Sequence, residues 1–112
     1  LRRAGMSQIT DVGGLETHDC FTVTEYMAID HSGLTPPGKS WQAIEAGRIA
    51  LDGDFPINPS GGLMGLGHPV GATGGRLLTT IVGELERRDA ELGLVTMCCG
   101  GGMGTATLVQ RV

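Results

Sequence analysis

Residues 65–75 read Gly-Leu-Gly-His-Pro-Val-Gly-Ala-Thr-Gly-Gly, and five of these eleven positions carry no side chain. Fixing so many glycines inside a helix or strand is entropically expensive, so most of the stretch belongs to a loop. Immediately beyond it Leu77, Leu78, Ile81, Val82 and Leu85 recur at steps of three and four. With Val70 and Gly74 they form one apolar stripe, which predicts a helix with Pro69 in its first turn. A chain that sets one imidazole, His68, in a glycine loop ahead of an amphipathic helix must cover that stripe with another apolar layer. The rest of the sequence supplies it.

Upstream, Gly13-Gly14 bound a short strand around Leu15 to His18, and the stretch from Asp19 or Thr22 to Asp30 has helical spacing. His31 to Lys39, with Gly33, two prolines and Gly38, reads as a loop; Ser40 is placed to cap a short helix that ends at Gly47. Residues 51–62 read as irregular. Downstream, Leu92-Gly-Leu-Val-Thr-Met-Cys-Cys99 has the pattern of a buried strand, and Met103, Thr105, Thr107 and Val109 alternate along a second. Gly100, Gly101 and Gly102 turn one into the other. Strands and helices that alternate and finish in a hairpin predict a layered α/β domain with a mixed sheet and packed helices, over residues 1–112.

Composition narrows the classes of function. Of 112 residues, 8 are Lys or Arg and 12 are Asp or Glu, so no basic surface is available for nucleic acid or an anionic membrane. No apolar run approaches the roughly 20 residues of a spanning helix. The opening Leu1-Arg2-Arg3-Ala4-Gly5-Met6 reads as the last turns of a helix with Gly5 near its C-cap, with no apolar signal segment after it. The expectation is a C-terminal part of a longer molecule. Three cysteines, two of them adjacent, fit reduced thiols in the cytoplasm better than a disulfide framework.

Three places bear chemistry. His68 can act, as a neutral imidazole, as a base toward a thiol or as a donor to an oxyanion; the plainer alternative is a loop histidine bonded to a nearby carbonyl. The loop lacks the lysine of a phosphate-binding loop and the third glycine of a dinucleotide fingerprint. Cys98, at the end of a buried strand ahead of glycine amides, can point into a cleft, and strand alternation sends one of Cys98 and Cys99 inward and the other outward. His18-Asp19-Cys20-Phe21 forms a strand-to-helix corner, where His18 can donate into a site and Asp19 can cap the helix that follows. No pair shows metal-ligand spacing, so no metal site is expected. Glu84, Glu86, Asp89 and Glu91 read as solvated surface, and Trp41 as packing.

Taken together, "HDCF", "INPSGGLMGLGHPVGATGGRLL" and "CCGGGMGTA", in this order and separation, resemble the C-terminal part of a thiolase. The corner is similar to that of sterol-carrier-protein-2-type thiolases, where many relatives carry Asn-Glu-Ala-Phe. The resemblance implies an incomplete thiolase fold and acyl transfer through an acyl-cysteine on 3-oxoacyl-CoA substrates. In it His68 would activate the nucleophilic cysteine and serve an oxyanion hole. Cys98 would exchange the α-carbon proton, and Gly100 would supply the amide of a second oxyanion hole. His18 would hold the water of the first hole in place of asparagine. The resemblance assigns no such role to Cys20, and no segment matches the nucleophilic cysteine.

It further implies no cofactor apart from the coenzyme A thioester as substrate, and an N-terminal thiolase half, in the same or another chain, as partner. A half-fold exposes an apolar face, which predicts a homo-oligomer or self-association. No coenzyme-binding residue is legible. The rival expectation is a non-catalytic acyl-CoA-binding or assembly module derived from a thiolase half.

Overall fold

The computed structural model describes residues 2–112, so the reading placed on Leu1 lies outside the described residues. After short 3₁₀ turns at Arg2–Ala4 and Ile9–Asp11, the elements are β1 (Leu15–Glu16), α1 (Thr22–Ser32), α2 (Ser40–Glu45), α3 (Gly62–Leu66), α4 (Thr73–Arg88), β2 (Leu92–Gly100) and β3 (Met103–Gln110). Gly5 is left-handed and its N–H returns to Arg2 O at 3.2 Å, which closes the opening turn as the sequence suggests.

The sheet runs β1-β2-β3. β1 lies parallel to β2, with Leu15 opposite Leu94, and β2 lies antiparallel to β3. On the other side of β1, Leu15 forms a parallel bridge to Ile57, inside the stretch read as irregular. The expected mixed sheet is present, although β1 spans only two residues.

Helices cover both faces. Leu77 and Ile81 of α4 pack on Val95, with Met97 and Val109 partly buried beside them. Gly93 is required here because a Cβ would run into Ile81, so the helix approaches the strand backbone directly. On the opposite face Ile9, Val12, Leu15, Ile29, Leu34, Ala43, Phe55 and Ile57 form a second core that reaches Leu94 and Leu108. Side chains of β2 alternate between the two: Leu94 and Thr96 one way, Val95 and Met97 the other. An open groove of about 830 Å³ runs over the first of these faces, between Met6, Ala28, Leu94, Ala106 and Leu108.

Several local expectations are corrected. α4 starts at Thr73, because residues 69–72 form a turn in which the Ala72 N–H donates to Pro69 O at 2.7 Å. Pro69 therefore precedes the helix, and Val70 is exposed. Leu78 and Val82 are also half-exposed, so the buried stripe narrows to Leu77, Ile81 and Leu85. Ser40 is the first residue of α2 rather than its cap; its hydroxyl donates to Asp30 Oδ1 at 3.1 Å. Trp41 is 43% exposed, with the Lys39 ammonium 5.9 Å from its ring centre. Glu84 is buried, because Arg87 clasps its carboxylate at 2.6 and 2.8 Å. A paired carboxylate on the inner side of a helix has the same spacing as a solvated one, so charge pattern alone does not separate them.

Candidate active site

The site begins with a strand too short to hold itself. Beyond Glu16 the backbone leaves the sheet, and long-range bonds take over: the Thr17 N–H donates to Asn58 Oδ1 at 2.8 Å, and Thr96 Oγ1 donates to Thr17 Oγ1 at 2.8 Å. Asn58 sits at φ 49°, a left-handed position that asparagine tolerates, and its amide nitrogen also donates to Glu25 Oε1 at 3.1 Å. One side chain thus ties β1 to α1 through the turn between Ile57 and α3. In the sequence Asn58-Pro59-Ser60 resembles a glycosylation site that its proline rules out, and nothing there assigns Asn58 this structural role; the available signal is an asparagine ahead of Pro59 in a turn-rich stretch.

Asp19 is buried, and its Oδ1 accepts the Leu63 N–H at 2.6 Å. It caps α3, forty-four residues away, instead of α1, the helix that follows it. Gly62, at φ 63°, faces the Asp19 carboxylate so closely that any Cβ would collide with it. This is why a helix of five residues, absent from the sequence expectation, can form between glycines. α3 then delivers the chain to Gly67, at φ 85°, and to His68.

The outcome is a pair of imidazoles. The rings of His18 and His68 stand edge to face, centroids 4.8 Å apart and planes at 86°. His68 is exposed, and its Nδ1 meets Thr73 Oγ1 at 2.8 Å; this partner is a hydroxyl, where the plainer expectation was a carbonyl. His18 is half-buried, with Nδ1 enclosed and without a hydrogen-bond partner among the described residues. Burial, helped by the His68 ring and opposed by Asp19, holds His18 below the ordinary histidine range. A neutral ring is therefore favoured at the corner, able to donate from one nitrogen.

Behind this pair lies a second polar group missed by the sequence reading. Glu16 is fully buried on β1, with one oxygen accepting from Ser60 Oγ at 3.3 Å and the other without a partner among the described residues. Burial pushes its carboxyl up to about 7, against the Ser60 bonds and the charge of Arg76 on α4. The three guanidinium nitrogens of Arg76 are themselves buried without a hydrogen-bond partner among the described residues. Burial likewise raises Glu25, against its bond from Asn58. The alternating strand around Leu15 carried the only hint, an acidic residue at an inward position.

The cysteine end is built differently. Cys98 and Cys99 are both exposed, and unpaired among the described residues, so the expected division into one core and one outward thiol does not hold. Both lie beyond the reach of the two cores, which end on β2 at Met97, and the register shifts between Cys98 and Gly100. The Gly100 N–H donates to Cys98 Sγ at 3.4 Å, and among the described residues Cys98 makes no hydrogen bond to either histidine. Cys20 is half-buried and forms no disulfide among the described residues. Among the described residues no three of His, Cys, Asp and Glu gather as metal ligands, and no helix is long and apolar enough to cross a membrane.

Comparison with known proteins decides the family. Residues 1–111 match the family profile described as thiolase, C-terminal domain. The chain belongs to the thiolase family. It is 39% identical over 112 residues to an acetyl-CoA acetyltransferase of Methanothermobacter thermautotrophicus, covering 92% of the chain and 29% of that protein. It is 38% identical to a 3-ketoacyl-CoA thiolase of Erwinia tasmaniensis, covering all of the chain and 25% of that protein. Over 59 residues, 53% of the chain and 15% of the relative, identity to a 3-ketoacyl-CoA thiolase of Cronobacter sakazakii is 56%. The thiolase domain described here thus spans between a quarter and a third of the length of the first two of these curated relatives.

Proposed function

We propose that this domain forms one wall of the active site of an acyl-CoA acyltransferase that makes or cleaves the carbon–carbon bond of a 3-oxoacyl-CoA. The observation that carries the reading is the edge-to-face contact of His18 and His68, fifty residues apart in a chain of the thiolase family. The nucleophilic cysteine would come from an N-terminal thiolase half, in the same or another chain.

In this reading His68 takes the proton of that cysteine's thiol, and the thiolate adds to the thioester carbonyl of an acyl-CoA. The carbon–sulfur bond to coenzyme A breaks, coenzyme A leaves as its thiol with the proton from His68, and an acyl-cysteine remains. Cys98, as thiolate, removes a proton from the α-carbon of a second acyl-CoA. The resulting carbanion attacks the acyl-cysteine carbonyl and expels the cysteine sulfur. Thiolytic cleavage is the reverse. While it holds that proton, His68 would stabilise the oxyanion formed on the acyl-CoA thioester, with a water on His18 beside it, and the Gly100 amide would stabilise the oxyanion of the second hole. That amide spends its proton on a thiol, a weak acceptor at 3.4 Å, which a developing oxyanion readily displaces.

The test is thiolysis of acetoacetyl-CoA by the complete protein that carries this domain, with His68→Ala and Cys98→Ala beside it. Cys98→Ala should also abolish exchange of the α-protons of acetyl-CoA with deuterated water. Wild-type rates in both variants would overturn the proposal.

A further inference from the structure

Thr73 is the first residue of α4 and is fully buried, which is unusual for a hydroxyl beside an exposed histidine. Its Oγ1 has two neighbours: Pro69 O at 3.1 Å and His68 Nδ1 at 2.8 Å. A threonine hydroxyl carries one proton and two lone pairs, so it can donate to only one of them. If it donates to Pro69 O, then Oγ1 accepts from an Nδ1–H and both contacts are hydrogen bonds. If it donates to Nδ1, two oxygen lone pairs face each other across 3.1 Å. Pro69 O cannot turn away, because it is pinned by the Ala72 N–H at 2.7 Å.

We propose that Thr73 is a positioning residue that holds neutral His68 as the Nδ1–H tautomer, leaving Nε2 as an unprotonated base. The turn 69–72 is the device: it sets a carbonyl beneath the threonine, and the threonine hands that polarity on to the ring. For the reaction proposed above, on which the identity of the proton donor rests, this fixes an order of roles. Nε2 accepts a thiol proton first. Only the resulting Nε2–H can then donate to a thioester oxygen. The same nitrogen serves as base and as oxyanion donor, and Thr73 prevents it from starting in the wrong state.

The experiment is ¹⁵N spectroscopy of histidine-labelled complete protein at alkaline pH, where the rings are neutral, with His68 assigned by its loss in His68→Gln. Wild type should show a protonated Nδ1 and a bare Nε2 at His68. Thr73→Val, which keeps the shape and removes the hydroxyl, should shift His68 toward the Nε2–H form. It should also lower kcat/KM for acetoacetyl-CoA thiolysis roughly 10²-fold. Thr73→Ser should restore both. An Nε2–H ring in the wild type, or an unchanged ring in Thr73→Val, would overturn the proposal. Should Thr73→Val fail to fold, the wild-type and Thr73→Ser spectra still decide it. A wild type with the expected tautomer but no thiolysis would sink the function proposed for the domain and leave the role of Thr73 standing.

Discussion

The histidine corner and the cysteine end of the hairpin make an instructive contrast. At the corner every contributing segment is tied to another distant in sequence: Thr17 to Asn58, Asp19 to Leu63, His18 to His68. At the hairpin end, Cys98 finds its partner two residues away, and Cys98 through Thr107 lie exposed. The corner is organised by this domain's own packing, whereas the hairpin end is organised by its own turn. The two halves of a proposed acid–base pair therefore carry different structural loads, and substitution should separate them.

The sharpest separation is expected at His68. Because its ring is exposed, His68→Ala in the complete protein should cut acetoacetyl-CoA thiolysis by about 10³-fold. The urea midpoint should stay close to wild type; a large fall there would mean that the ring is structural, and the contrast would fail.

Glu16 should behave in the opposite manner, affecting stability through pH. Its folded carboxyl is raised from 4.5 to about 7, so the protonated form is the one that the fold prefers. Its contribution is complete below the unfolded value and is lost as pH rises through about 7, on the order of 3 kcal/mol in all. Glu16→Gln should flatten that decline in unfolding midpoints measured across this range. An equally steep decline in the variant would remove Glu16 as its cause.

Asp19→Ala should cost about 1–3 kcal/mol in denaturant unfolding, since it strands the buried Leu63 N–H. A neutral result would show that α3 stands without its cap. The smallest effect belongs to the hairpin end: Cys99→Ser should change stability by no more than about 0.5 kcal/mol. A larger loss would reveal packing at this exposed position and narrow the distance between the two regions.

Much of the scaffold was legible in the sequence because it rests on periodicity. The stripe of Leu77, Ile81 and Leu85 and the hairpin of β2 and β3 follow from spacing alone. Asp19, Asn58 and Glu84 were misread or passed over because their partners are far away or on the buried side of a turn, which local pattern does not encode. Of the site, His18 and His68 were singled out separately, but their contact runs through α3, a helix whose Leu63 N–H is held by the Asp19 carboxylate. Thr73 was invisible for another reason: a threonine at the predicted interior of a helix says nothing until the helix is known to begin there.

The bond map around Thr17 also sets a timetable. Its neighbours Asn58 and Thr96 lie 41 and 79 residues further along the chain. No nascent segment ending before β2 can fix His18 in place, since the strand leading to it is only two residues long. Closing loops of that length before any contact rewards them slows folding. The corner that looks most settled in the finished domain therefore waits on Thr96 of β2, the most distant of its ties.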